Sequence, residues 1–312
     1  ESDGATLSGN AIYSNTADLS GGVQLAFSDD ATLDNNVIAD NQAGAAVSGV
    51  MVSASTANLR HNTIARNTGG DGSGVCVINA VADYSTVALT NTILVSHSVG
   101  INVTAGNTAT LESTLWGSGA WANTTDWGGG GSIVRANDYW GDPAFVDPDA
   151  GDYHIGPGSA AIDEGVDAGV ATDKDGVIRP QGTDPDLGAY ELEQFTLAVT
   201  KAGTGDGTVT SDPAGINCGA DCTETYGKGT VVTLTATPDV DSVFAGWSGH
   251  ADCADGKVTM DADKTCTATF ALPVGGVTVP VGTPALLWPW ILLAVAVITA
   301  ASGAALLKRR RA

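Results

Sequence analysis

Three stretches of the chain repeat one pattern at an interval of 26 residues: Ala5-Thr6-Leu7 with Asn10, Ile12 and Asn15; Ala31-Thr32-Leu33 with Asn36, Ile38 and Asn41; Ala57-Asn58-Leu59 with Asn62, Ile64 and Asn67. A period of this length with no helical spacing inside it predicts one rung of a β-solenoid per repeat. A single rung cannot bury its apolar side chains without a neighbour above and below. Two looser copies, Val87-Ala88-Leu89 with Asn91-Thr92-Ile93 and Ala109-Thr110-Leu111 with Ser113-Thr114-Leu115, keep the apolar positions while rung length changes. Ile12, Ile38, Ile64, Ile93 and Leu115 are therefore expected to stack as one internal column.

A second short strand lies between the copies, at Gly22-Val23-Gln24-Leu25, Val50-Met51-Val52, Gly74-Val75-Cys76-Val77 and Gly100-Ile101-Asn102-Val103. Its alternation puts every other side chain on one face of a parallel sheet. Asparagine at matching offsets serves a turn, where it tolerates the left-handed conformation, or a ladder, where one amide bonds to the same amide in the next rung. Asn10, Asn36, Asn62, Asn15, Asn41 and Asn67 are read in these structural roles. Over roughly the first 140 residues the pattern resembles the right-handed parallel β-helix repeats of bacterial surface proteins and of pectin-degrading enzymes.

The formal net charge is -22, from 13 Lys+Arg against 35 Asp+Glu, with a pI near 4.1. That balance repels a polyanion, so nucleic acid is not an expected partner. Charged residues are only 15% of a chain with 41 Gly, which suits a turn-rich all-β protein. The chain opens at Glu1 inside a repeat, and further rungs are expected to precede it because a solenoid end needs a cap.

After the repeats come Trp140-Gly141-Asp142-Pro143-Ala144-Phe145, Gly151-Asp152-Tyr153-His154-Ile155 and Gly158-Ser159-Ala160-Ala161-Ile162-Asp163. Asp173-Lys174-Asp175-Gly176-Val177-Ile178-Arg179-Pro180 and Asp186-Leu187-Gly188-Ala189-Tyr190-Glu191 follow. This series resembles the choice-of-anchor Q region that follows β-helix repeats in bacterial surface proteins, departing from it at Ala160 where the family more often has Pro. The resemblance implies architecture and surface display; no activity is established for such a segment. Asp163, Asp175, Arg179, Asp186 and Glu191 could form a hydrogen-bonded clasp closing the open end of the helix. The alternative is calcium at Asp173 and Asp175, although the remaining ligands of a twelve-residue calcium loop are missing.

Trp116, Trp121, Trp127 and Trp140, joined by Tyr139, crowd around this junction. Aromatic faces stack on sugars, so a glycan-binding patch is one reading. A plug over the end of the solenoid is the other.

From Phe195 the pattern turns to Thr-rich alternating strands. Gly205-Asp206-Gly207-Thr208-Val209, Cys218-Gly219-Ala220-Asp221-Cys222, Phe244-Ala245-Gly246-Trp247-Ser248-Gly249 and Cys266-Thr267-Ala268-Thr269-Phe270 resemble a bacterial surface repeat related to the internalin-type B-repeat. The resemblance implies a spacer or adhesive module without catalysis. Cys218, Cys222, Cys253 and Cys266 are an even set in a domain with a small core, which favours disulfides. Pairing Cys218 with Cys222 and Cys253 with Cys266 joins neighbours in sequence; a four-thiolate zinc site is the rival. Cys76 stands alone in a solenoid strand and reads as a small buried apolar side chain.

The chain ends in an apolar run holding Leu286, Trp288, Trp290 and Leu307, followed by Lys308, Arg309, Arg310 and Arg311. About 23 residues at about 1.5 Å each span about 35 Å, enough to cross a bilayer, with the tryptophans at the outer interface and the basic cluster inside. The arrangement resembles carboxy-terminal sorting signals. The expected domains are thus a β-helix over 1–140, the anchor-type segment over 141–193, a disulfide-bonded β module over 194–272, a stalk over 273–284 and a membrane helix with basic tail over 285–312.

The functional expectation is a non-enzymatic surface protein, adhesive or structural, held outside the membrane with an extracellular glycan or protein as partner. No catalytic residue, metal or cofactor is assigned. The alternative is a carbohydrate-active β-helix enzyme whose site lies in preceding rungs, because His61, His97 and Asp29-Asp30 form no constellation among the visible ones.

Overall fold

The computed structural model of the chain describes residues 3–81 and 83–273, and among them every element is a β-strand apart from three short 3-10 helices. The second rung shows the plan, with strands Ala31–Asp34, Val37–Ala39, Gln42–Ala43 and Val50–Ser53 separated by sharp corners. Equivalent strands pair in parallel and in register, so that Leu7, Leu33, Leu59, Leu89 and Leu111 follow one another up the solenoid. In the fourth and fifth rungs the first two strands fuse into Thr86–Val95 and Thr108–Leu115. The opposite wall is a five-stranded sheet whose inward residues include Val23, Val50, Val75 and Ile101.

The corners explain the asparagines. Asn10, Asn36 and Asn62 form one ladder, each side-chain oxygen accepting from the amide of the rung before at 3.0 Å. Asn15, Asn41 and Asn67 form a second at 2.9 and 3.0 Å, which continues through His97 to Asn123. The left-handed turn falls on the residue before each first-ladder asparagine, at Gly9, Asn35 and His61, and recurs at Asn91 and Ser113. The expected turn and ladder roles therefore belong to adjacent residues.

One register expectation is corrected. Ile12, Ile38 and Ile64 are paired in one column, but Ile64 pairs with Leu94, while Ile93 pairs with Thr63 and Leu115. Leu94 and Trp116 carry the inner cluster onward, and Ile93 and Leu115 face out of the solenoid. A one-residue slip sends a strand's side chains to the opposite face.

That outward apolar stripe, Val37, Ala39, Ala65, Ile93, Val95 and Leu115, is buried because the following segment lies over it through Phe145, Tyr153, Leu187, Ala189, Tyr190 and Leu192. The segment flanks the solenoid instead of closing its end. Gly188 shows how closely it lies: its φ is +89°, and a Cβ there would meet the Ile93 side chain at 2.6 Å.

The repeat module follows without a spacer. Two four-stranded sheets enclose Leu197, Val199, Val232, Val258, Met260 and Phe270. Its first strand, Gln194–Gly203, lies parallel to its last, Lys264–Ala271. The run from Leu286 to Leu307 lies outside the described residues, among which no helix is long and apolar enough to cross a membrane.

His61 yields a test of the corner geometry. It is buried, with φ +52°, between Asn91 and the backbone of Asp186. Burial, then the charge of Arg179, pulls its pKa from 6.5 down to about 3. The unfolded chain thus binds the proton more readily, so the stability this neutral ring supplies is present above about pH 6.5 and lost as pH falls towards about 3. Asparagine tolerates the left-handed corner and does not titrate. His61→Asn should therefore lose less of its melting temperature than the parent between about pH 7 and about pH 4. An equal loss in both proteins would remove His61 as a source of acid sensitivity.

Candidate functional site

The longest sheet presents a regular outer face. One column runs Thr6, Thr32, Asn58, Ala88, Thr110 and Val134, and the next runs Ser8, Asp34, Arg60, Thr90, Glu112 and Ala136. Asp34 and Arg60 meet in a two-point ion pair at 2.8 and 2.6 Å. Asp34 and Glu112 stand three rungs apart in this column, which at ~4.8 Å per rung is ~14 Å. Paired glycosidase carboxyls stand about 5 to 9.5 Å apart.

Several cations and histidines of the solenoid are paired or buried. Arg66 is paired with Asp40 and Asp149, and Arg135 lies 3.5 Å above the Trp127 ring. His97 is buried in the asparagine ladder, and burial pulls its pKa down to about 4. Neither buried histidine carries a proton near neutral pH.

The junction aromatics do not form one patch. Trp116 is fully buried and meets Trp127 edge-on, 5.4 Å between centroids. Arg135 pairs with Leu111, the position held by leucine in the rungs below, and its guanidinium covers Trp127. These three groups plug the solenoid. Trp121 packs on Phe145 at 5.0 Å and, with Tyr139, belongs to the flanking seam. Trp140 is 55% exposed and donates to Asp126 at 3.0 Å.

The expected clasp is present in part, on the flank. Arg179 and Glu191 form a buried ion pair at 2.6 Å. Asp186 accepts from the backbone N–H groups of Asp163 and Leu192 at 2.8 and 2.7 Å. Burial, then the neighbouring Glu191 charge, pushes the Asp186 pKa up to about 7. The grip on the solenoid comes from two corner residues and a strand end: Asn35 donates to the Thr172 carbonyl, Asn91 to that of Val166 and Arg60 to that of Ala168. Of the three, only Asn35 directly precedes a ladder asparagine, and nothing else in the sequence marks this role.

Asp173 and Asp175 do not act together. The two oxygens of Asp173 accept three backbone N–H groups, from Asp175, Val177 and Glu191, at 2.8 to 3.0 Å. Asp175 turns outward to His154 at 2.8 Å. Among the described residues, no group of three His, Cys, Asp or Glu side chains is placed to hold a metal ion.

In the module, Cys218 bonds Cys222 and Cys253 bonds Cys266. Cys76 is a buried free thiol, and burial pushes its pKa up to about 12.

A parallel solenoid joined to a disulfide-bonded repeat module fits a bacterial surface repeat protein. Residues 1–115 match the family model of the right handed beta helix region, and residues 197–273 match that of the divergent InlB B-repeat domain. No curated protein and no solved structure matches the chain.

Proposed function

We propose that the chain is a non-enzymatic surface protein, adhesive or envelope-structural, whose solenoid presents its long outer face to an extended extracellular glycan or protein. The observation that carries this reading is the wide separation of Asp34 and Glu112 on a face otherwise lined by hydroxyl, amide, aliphatic and paired groups. Such a face can hydrogen-bond a repeating polymer but offers no acid and base across one glycosidic bond. Anchoring through 285–307, with the basic cluster of Lys308 to Arg311 inside and the module in an oxidising compartment, accords with the two disulfides.

A panel of acidic and neutral polysaccharides, with and without Ca²⁺, should release no reducing ends or unsaturated products above background. Turnover abolished by Asp34→Asn or Glu112→Gln would overturn the non-enzymatic reading. For topology, impermeant protease on cells with any outer membrane permeabilised should digest the solenoid, and a protected solenoid would contradict surface display.

A further inference from the structure

We propose that the cleft between the flanking segment and the repeat module is a binding site for an organic cation with an aliphatic body, of which a peptide's lysine side chain is the type. The proposal does not depend on the adhesive reading. The cleft measures about 410 Å³, within the ~300–1,000 Å³ of small-ligand sites. Its apolar wall is built by Ile155, Val177, Tyr190 and Leu192.

At one side the His154 ring is clamped between two carboxylates. Nδ1 is 2.5 Å from Asp152 Oδ1, and Nε2 is 2.8 Å from Asp175 Oδ2. The ring lies flat on Tyr190, centroids 3.8 Å apart. The other charged groups facing this corner are already matched or set back. Glu193 pairs with Lys228, Glu191 with Arg179, Asp173 is filled by backbone N–H groups, and Lys174 stands 5.5 Å over Tyr190.

An imidazole donates through both nitrogens only when protonated. The cleft therefore already holds one cation, the protein's own. Burial lowers the His154 pKa, but the hydrogen bonds and charges of Asp175 and Asp152 outweigh it and the net direction is up. When the proton leaves, the ring keeps a single N–H for two carboxylates, and Asp152 also accepts the His154 backbone N–H at 3.0 Å. The positive charge between the pair is then gone, and Asp175, about half exposed beside the apolar wall, is the carboxylate an incoming cation can reach. An ammonium group on a hydrocarbon chain satisfies both surfaces at once. A divalent metal ion does not, since calcium takes six to eight oxygens and Asp173 already accepts three backbone N–H groups.

Proton and ligand compete for one carboxylate, so affinity must rise with pH. The probes are Nα-acetyl-lysine methylamide and its uncharged norleucine counterpart, titrated into the full chain at about pH 5.5 and about pH 8 while the His154 ring resonances are followed by NMR. The lysine probe should shift them saturably, bind at least about fivefold tighter at the higher pH, and exceed the norleucine probe by about fivefold. Asp175→Asn should cut lysine binding by a similar factor, whereas Asp18→Asn, exposed on the first rung and outside the cleft lining, should leave it unchanged. Equal binding of the two probes, tighter binding at the lower pH, or no His154 shift would overturn the proposal.

Discussion

Replacing Ile64 by Asp should melt the second, third and fourth rungs together and release the flanking segment with them. Ile64 has no exposed surface and lies in register between Ile38 and Leu94. The variant loses the burial of a large aliphatic side chain and places a carboxylate where no partner exists, a combined cost of about 5 kcal/mol or more. Domains hold only about 5 to 15 kcal/mol in total. Because each rung is stabilised by its neighbours, the loss propagates along the stack. Ile64→Val, by contrast, should cost about 0.5–1.5 kcal/mol. The measurement is hydrogen exchange across residues 31–103, and retained protection in the Asp variant would show that the side chain does not face the core. The corrected register adds a sharper comparison: Leu94→Asp should open the solenoid, whereas Ile93→Asp should loosen the segment over it.

The second large effect concerns Arg179. Its side chain is only 1% exposed and its Glu191 partner is fully enclosed. Arg179→Met should cost about 3–5 kcal/mol, because removing one member of a buried pair strands the other charge. Adding Glu191→Gln should restore part of that loss: the charge is gone, while the amide oxygen can still accept from the Asp186 N–H that now bonds Glu191 at 2.9 Å. Thermal melting of the two variants decides the matter. A double variant no more stable than Arg179→Met would mean that the guanidinium's bonds to the Asp186 and Gly188 carbonyls, and not its charge, hold the segment.

The 26-residue period made the first three rungs legible because every offset, from Leu7 to Asn15, returns intact. Reading failed at the fourth rung for a definite reason. An insertion lengthens the spacing from Ile64 to its partner Leu94, and Thr92-Ile93-Leu94-Val95 is apolar at both parities. A strand covered on both faces carries no alternation from which to choose the inner set. The lateral position of the segment over 141–193 was invisible for the same reason, since the stripe it covers is indistinguishable in sequence from core. Arg135 was readable in principle, as the one cation in the leucine column, but only once the register was known. The cysteine pairing was legible because both partners are close in sequence. His154 was not, because one carboxylate, Asp152, precedes it on the same strand while the other, Asp175, comes from a turn 21 residues on.

The parallel alignment of the module's first and last strands has a mechanical consequence. One strand continues back towards the solenoid and the other forwards along the chain, so tension drawn through the module pulls them in opposite directions along their common axis. The seven register pairs from Leu197 opposite Lys264 to Gly203 opposite Phe270 are then loaded at once, in shear, instead of being peeled apart singly. The Cys253 to Cys266 bond ties the forward strand into the body of the module, so a load that parts those pairs still leaves the polypeptide cross-linked behind them.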